Sequence, residues 1–219
     1  MRFVIQKDCY GTILTAWLIS ITCIALLLWL LDPGIIRTVL IAFLVVFMGF
    51  VTWFHRVPER KALGTGNVVT SVADGKVVVL EKVYEKEYLK RECIQVSVYM
   101  NFFDVHVNYW PIDGKVTYYK YHPGKYLLAF HPKASELNEH SSTAISNGRD
   151  EVFFKQIAGT FARRIVCYSE VGKDVKAGDQ CGVIKFGSRI DMYLPLDADI
   201  KVKLGDLTVA SETVIAELK

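Results

Sequence analysis

The apolar positions of this chain fall into two regimes. Residues 11–31 (GTILTAWLISITCIALLLWLL) run 21 positions without a charge, enough to cross a bilayer core as a helix. Asp32-Pro33-Gly34 then supplies strong turn chemistry. Residues 38–54 (TVLIAFLVVFMGFVTWF) add 17 uncharged positions, and Ile35 and Ile36 can extend them past Arg37. The pattern predicts an N-terminal hydrophobic helical hairpin, spanning the bilayer or re-entrant in one leaflet. A cleaved signal peptide would carry one shorter apolar stretch rather than two.

From residue 66 onward the period changes. Short alternating or β-branched runs at 75–80, 94–99 and 116–119 predict strands, and residues 150–163 fit helix or strand by pattern, with strand favoured for their first half. Asp113-Gly114, Pro123-Gly124, Asn147-Gly148 and Gly178-Asp179 punctuate these runs as turns. Residues 171–179 echo residues 204–212: each reads as a tight turn, an apolar residue, a second turn and a strand. That pairing is similar to the hairpins of lipoyl- and biotinyl-type domains, although no motif isolates a lysine at a tip for a swinging arm. The expected class is therefore mainly β (α+β), a β-rich domain at 62–219 behind a membrane-anchoring hairpin and its flanks at 1–61.

Composition sharpens this division. Hydrophobic residues make up 52% of the 219, above the usual share for a soluble protein, and the excess lies before residue 55. Net charge is only +3, with Lys and Arg scattered, which argues against a nucleic-acid partner. The charges that matter flank the leader: Arg2 and Lys7 before it, His55, Arg56, Arg60 and Lys61 after it, against Asp32 and Arg37 in the turn. The positive-inside bias places both ends, and the large domain, on the cytoplasmic side of the cell (inner) membrane. Cysteines 9, 23, 93, 167 and 181 form no C-x-x-C pair and are odd in number, so neither a disulfide framework nor a metal site is expected.

Four short motifs carry the candidate chemistry: Phe186-Gly187-Ser188-Arg189; Ala73-Asp74-Gly75-Lys76-Val77; Asp104-Val105-His106-Val107-Asn108 leading into Pro111; and Asn138-Glu139 after Phe130-His131-Pro132-Lys133. Phe54-His55-Arg56-Val57-Pro58-Glu59-Arg60 forms the junction behind the leader. In this order they resemble the short, prokaryotic type of phosphatidylserine decarboxylase proenzyme, over nearly the whole chain. The resemblance implies self-cleavage between Gly187 and Ser188. Large (1–187) and small (188–219) chains would stay together as a heterodimer, and Ser188 would become a covalent pyruvoyl cofactor. Decarboxylation leaves electrons on carbon, and side chains offer no sink for them. A carbonyl that forms an imine with the substrate amine does. The resemblance further implies phosphatidylserine as the phospholipid substrate and phosphatidylethanolamine as the product.

Glycine before the serine tolerates a strained turn that exposes its carbonyl. The serine hydroxyl needs a base, for which His106 is the candidate, with Asp74 as its orienter. The longer type of the family carries a second histidine three residues after the first. Here that position is Tyr109, so His122 and His131 stand behind His106 as alternative bases. The rival functions are decarboxylation of another phosphoserine lipid, a non-catalytic membrane-tethered lipoyl-like binding module, and a serine hydrolase, for which G-x-S-x-G is absent. Arg163-Arg164 suits a lipid phosphate or plain solvent equally.

Overall fold

The computed structural model describes residues 3–63, 66–128, 134–160, 165–184 and 188–219. The chain forms two compact units, Met1–Glu59 and Arg60–Lys219.

In the first unit, helices α1 (Tyr10–Leu30) and α2 (Ile35–Phe54) make the hairpin. The Asp32-Pro33-Gly34 turn separates them, and Arg37 donates to the Leu31 carbonyl at 3.0 Å. Trp17 Nε1 donates to Thr52 Oγ1 at 3.2 Å between the helices. Both are long and apolar enough to cross a membrane. Strands β1 (Phe3–Ile5) and β2 (Arg56–Pro58) pair antiparallel and tie the unit's two ends together.

The second unit is strand-rich, as its alternating sequence leads one to expect. In chain order it contains β3 (Val68–Thr70), β4 (Gly75–Glu85), β5 (Arg91–Met100), β6 (Val107–Tyr109), β7 (Gly114–His122), a one-turn helix α3 (Ala134–Leu137), β8 (His140–Ser146) and β9 (Glu151–Ala158). It continues with β10 (Ile165–Cys167), β11 (Asp174–Val175), β12 (Gln180–Ile184), β13 (Ser188–Leu194), β14 (Asp199–Ile200), β15 (Leu207–Thr208) and β16 (Val214–Glu217). Eight strands form one antiparallel sheet in the order β11-β7-β8-β9-β13-β5-β4-β15. Two small sheets, β10-β12-β6 and β14-β16-β3, complete the unit. One face of the large sheet supplies Val98, Met100, Phe154, Ile190 and Met192 to the main core.

The strand order is a palindrome about the β9–β13 pair, and the sequence carries its trace. Asp74-Gly75-Lys76-Val77 opens β4, and Asp113-Gly114-Lys115-Val116 opens β7. Each run pairs with one of the echoing segments: Thr208 lies against Gly75 and Val175 against Gly114. The crossing bonds repeat as well. Val77 N donates to Asp206 O and Val116 N to Lys173 O, both at 2.9 Å, while Thr70 N donates to Pro111 O and Tyr109 N to Val72 O, both at 3.0 Å. Glycine is required at both openings, because a Cβ at Gly75 would collide with the Tyr99 carbonyl and one at Gly114 with the Ser146 carbonyl. The echoing segments thus cap the two edges of one pseudo-twofold sheet.

Candidate active site

Strand register places the motifs together. Ser188 opens β13 and pairs with Met100 of β5 on one side and Ala158 of β9 on the other. Met100 is followed across β4 by Gly75, since Lys76 pairs with Tyr99. Beyond Ala158 comes Glu139, whose carbonyl accepts from Ala158 N at 2.9 Å. At a strand spacing of about 4.8 Å, the backbone of Ser188 lies one strand from Ala158 and roughly 10 Å from those of Gly75 and Glu139. Asp74-Gly75, Ser188 and Asn138-Glu139 therefore share one end of the sheet. Gly187 and His131 fall outside the described residues, as do Arg163 and Arg164.

Ser188 is fully buried. Its Oγ meets Met100 Sδ at 3.6 Å, a weak acceptor. Asn108 Nδ2 reaches the same sulfur at 3.8 Å. Gln156 fixes the Asn108 amide by donating from Nε2 to Oδ1 at 2.8 Å, and Ser141 in turn donates to Gln156 Oε1 at 2.9 Å. A buried polar chain from Ser141 through Gln156 to Asn108 thus ends where the Ser188 hydroxyl lies. Asn108 and Gln156 had no assigned role in the sequence reading. The signal available was polar residues at inward positions of otherwise apolar strands.

His106 is buried two residues before Asn108. Its carbonyl accepts from Ile184 N at 3.1 Å, which ties it to the end of β12, four residues ahead of Ser188. Its Nδ1 lies 2.9 Å from the Asp104 carbonyl. A carbonyl only accepts, so the neutral ring carries its proton on Nδ1 and its lone pair on Nε2, as a base requires.

Asp74 accepts from Ala210 N at 2.8 Å through Oδ1 and from Arg60 at 2.5 Å through Oδ2. The pseudo-twofold separates these two roles. Asp113, at the matching position, accepts from Ala177 N at the same 2.8 Å but sits exposed. The bond to the alanine amide is the turn's shared requirement, whereas Arg60 belongs to Asp74. Tyr109 joins this pair. Burial pushes its phenol up to about 12, with the Arg60 charge and hydrogen bond opposing and the Asp74 charge adding. The position three residues after His106 thus holds a phenol beside Arg60 and Asp74.

His122, the second candidate base, lies elsewhere. Its Nε2 is 2.7 Å from Glu87 Oε1, and its ring stacks on His140 with centroids 4.3 Å apart. This cluster lines a cavity of about 740 Å³ together with Lys155, Arg189 and Tyr193. Side chains alternate along β13, so that cavity opens on the face of the sheet opposite Ser188 Oγ. Glu87, His122 and His140 could offer three ligand atoms within 4.8 Å. The two rings stand only 14° from parallel, however, so one ion cannot lie in both ring planes without a ring turning. Burial would raise the Glu87 carboxyl, but Lys155, His122 and Ser142 outweigh it and bring it down to about 2.

Comparisons with known proteins give the family. Residues 47–216 match the family model described as phosphatidylserine decarboxylase. A phosphatidylserine decarboxylase proenzyme from Amoebophilus asiaticus is 49% identical over 77% of this chain and 76% of its own length. Proenzymes of the same description from Cytophaga hutchinsonii (44%, over 83% and 82%) and Porphyromonas gingivalis (38%, over 98% of both) are also similar.

The chain belongs to the phosphatidylserine decarboxylase family.

It is accordingly a decarboxylase of phospholipid biosynthesis, related to proteins described as proenzymes. In this chain the sheet end described above gathers the serine, the acidic turn, and the histidine-bearing segment that reaches Ser188 through Met100. The two apolar helices of the first unit suit association with a membrane.

Proposed function

We propose that this protein cleaves itself between Gly187 and Ser188, converts Ser188 into a pyruvoyl group, and decarboxylates phosphatidylserine to phosphatidylethanolamine at the cytoplasmic face of the cell membrane. The observation that carries this reading is the position of Ser188: fully buried at the first residue of a central strand, at the sheet end where the other motifs meet.

Self-cleavage uses the chain's own groups. Ser188 Oγ attacks the Gly187 carbonyl carbon as His106 takes the hydroxyl proton. The C–N bond breaks, the nitrogen is protonated, and an ester remains. Loss of the Ser188 α-proton then expels the Gly187 carboxylate from Cβ. Tautomerisation and hydrolysis of the resulting enamine release ammonia and leave the carbonyl.

The residues at Ser188 fit such a group. Asn108, its amide fixed by Gln156, spends its N–H on a thioether and can instead hold a carbonyl oxygen. The pyruvoyl carbonyl supplies the electron sink for carbon–carbon cleavage. His106 returns a proton to the substrate carbon, and the surrounding buried side chains exclude water.

The small chain is expected to stay in place after cleavage. Its β13 is hydrogen-bonded on both sides, and Ile190, Met192, Leu194 and Ile215 lie in the main core.

Intact-mass measurement of membrane-extracted protein beside Ser188→Ala tests the proposal. Two chains split at 187/188, the smaller blocked by a pyruvoyl group, with the variant uncut, is the expected result. A single unmodified wild-type chain would sink it in favour of a binding module. Assaying an ether-linked phosphoserine lipid beside phosphatidylserine identifies the substrate.

A further inference from the structure

The pseudo-twofold supplies an internal control for the loops at the two ends of the sheet. Tyr99 pairs with Lys76 as Ser146 pairs with Lys115, so the loop after β5 corresponds to the turn after β8. The β8–β9 turn is Asn147-Gly148-Arg149-Asp150, with Asn147 Oδ1 accepting from Arg149 N at 3.0 Å and Asp150 N at 2.7 Å. The loop after β5 is Asn101-Phe102-Phe103-Asp104, braced in the same manner: Asn101 Oδ1 accepts from Phe103 N at 2.8 Å, and Asp104 Oδ2 from Asn101 N at 2.7 Å. The fold therefore closes such a turn with polar residues alone. Yet at the Ser188 end it presents two phenylalanines, with Phe103 70% exposed.

The same end carries further exposed apolar side chains. Tyr126 and Leu128 lie on the segment bridged to Asn138, and Leu137 ends α3. Lys125 is exposed on the same segment, and Glu136 is exposed beside Leu137. Arg60, the first residue of the second unit, is bound to Asp74 at this end.

We infer that the Phe102-Phe103 loop, with Tyr126, Leu128 and Leu137, forms a second membrane contact: an apolar rim that inserts into the bilayer interface around the Ser188 end of the sheet. Aromatic side chains favour the interface. The inference rests on the reading of this protein as a phospholipid decarboxylase. It adds that the body itself docks, so that a headgroup reaches the buried site without leaving the membrane.

The full chain in phosphatidylserine-containing vesicles tests this by two routes. In the first, p-benzoylphenylalanine replaces Phe103 or, at the opposite end of the sheet, Leu196, which is 43% exposed. Irradiation and intact-mass measurement then read lipid adducts. Adducts at 103 and none at 196 are expected; none at 103, or equal yields, overturns the rim. This readout needs no activity, so it decides the matter even if the decarboxylase reading fails. In the second, Phe102→Ser/Phe103→Ser is assayed on bilayer substrate and on a short-chain phosphatidylserine below its critical micelle concentration. Removing two interfacial aromatics should raise the KM for bilayer substrate about tenfold, with complete self-processing and an unchanged kcat/KM on the soluble lipid. Equal loss on both substrates, or no change on either, refutes the rim.

Discussion

Asp74 and Asp113 offer a matched pair for asking what an aspartate does beyond shaping its turn. Asp113→Ala removes one hydrogen bond, from Ala177 N at 2.8 Å, at an exposed position. The expected cost is about 1 kcal/mol, or a fall in Tm of about 2–4 °C for a chain of this size. Asp74→Ala removes the equivalent bond from Ala210 and also strips Arg60 of its carboxylate. The Arg60 side chain is 9% exposed, and breaking a buried pair from one side costs about 3–5 kcal/mol. The variant should therefore lose several times as much stability as Asp113→Ala.

The effects on self-processing should diverge further. Asp113→Ala is expected to process at the wild-type rate, while Asp74→Ala, which strips Arg60 and Tyr109 of the carboxylate beside them, slows by about a hundredfold, the low end of what general acid–base catalysis supplies. Cell-free synthesis into nanodiscs, sampled over time and read by gel or intact mass, gives the rate. Limited proteolysis of the same samples gives the folded fraction to which it is normalised. If the two variants slow processing equally per folded molecule, Asp74 is a turn residue and nothing more, and its proposed role in the chemistry is wrong.

Two predictions concern the far face of the sheet. Glu87 is held down at about 2 against an ordinary 4.5. The stability it contributes is therefore fully present above about pH 4.5 and is lost as pH falls toward 2. Thermal melts at stepped pH should show wild type losing stability through that window, with a visibly flatter profile for Glu87→Gln; parallel profiles would refute the assignment. Asp191→Ala leaves the buried Arg189 guanidinium without its partner at 2.6 Å. It should destabilise by about 3–5 kcal/mol, read as a Tm fall, and an unchanged Tm would show that Ser97 and solvent suffice to hold Arg189.

Much of this architecture is legible in the sequence because its physical causes are local. The uncharged runs and the Asp32-Pro33-Gly34 break define the helices, and α2 takes in Ile35 and Ile36 as the pattern allows. Alternation locates β4, β5 and β7, and the first half of 150–163 is indeed strand, as β9. What local pattern does not carry is pairing. The echo between 171–179 and 204–212 is visible, but its partner repeat, Asp-Gly-Lys-Val at 74 and 113, acquires meaning only once both runs are seen to cap opposite edges of one sheet. His122 shows the same limit. A histidine beside a proline turn reads alike whether it faces Ser188 or not, and only strand register puts it with Glu87 on the other face.

The repeat also bears on why the proposed chemistry lies at one end of a nearly symmetric scaffold. Both ends need glycine where an edge strand meets the sheet, and both need an aspartate oxygen to cap the echoing segment. Those shared demands account for Asp-Gly at 74 and at 113 without reference to catalysis. The ends differ in what surrounds them. At the β8–β9 end the chain turns back within four residues and leaves Asp113 in solvent. At the other, β5 and β13 are not joined by a tight turn; Arg60 and Tyr109 gather at Asp74 and Asn138 binds the Ala158 carbonyl at the end of β9, burying polar groups. Burial of such groups strengthens each electrostatic contact and makes any missing partner costly. The proposed self-cleavage would therefore belong at the end where the repeat is broken, and Asp74→Ala against Asp113→Ala measures that difference within a single fold.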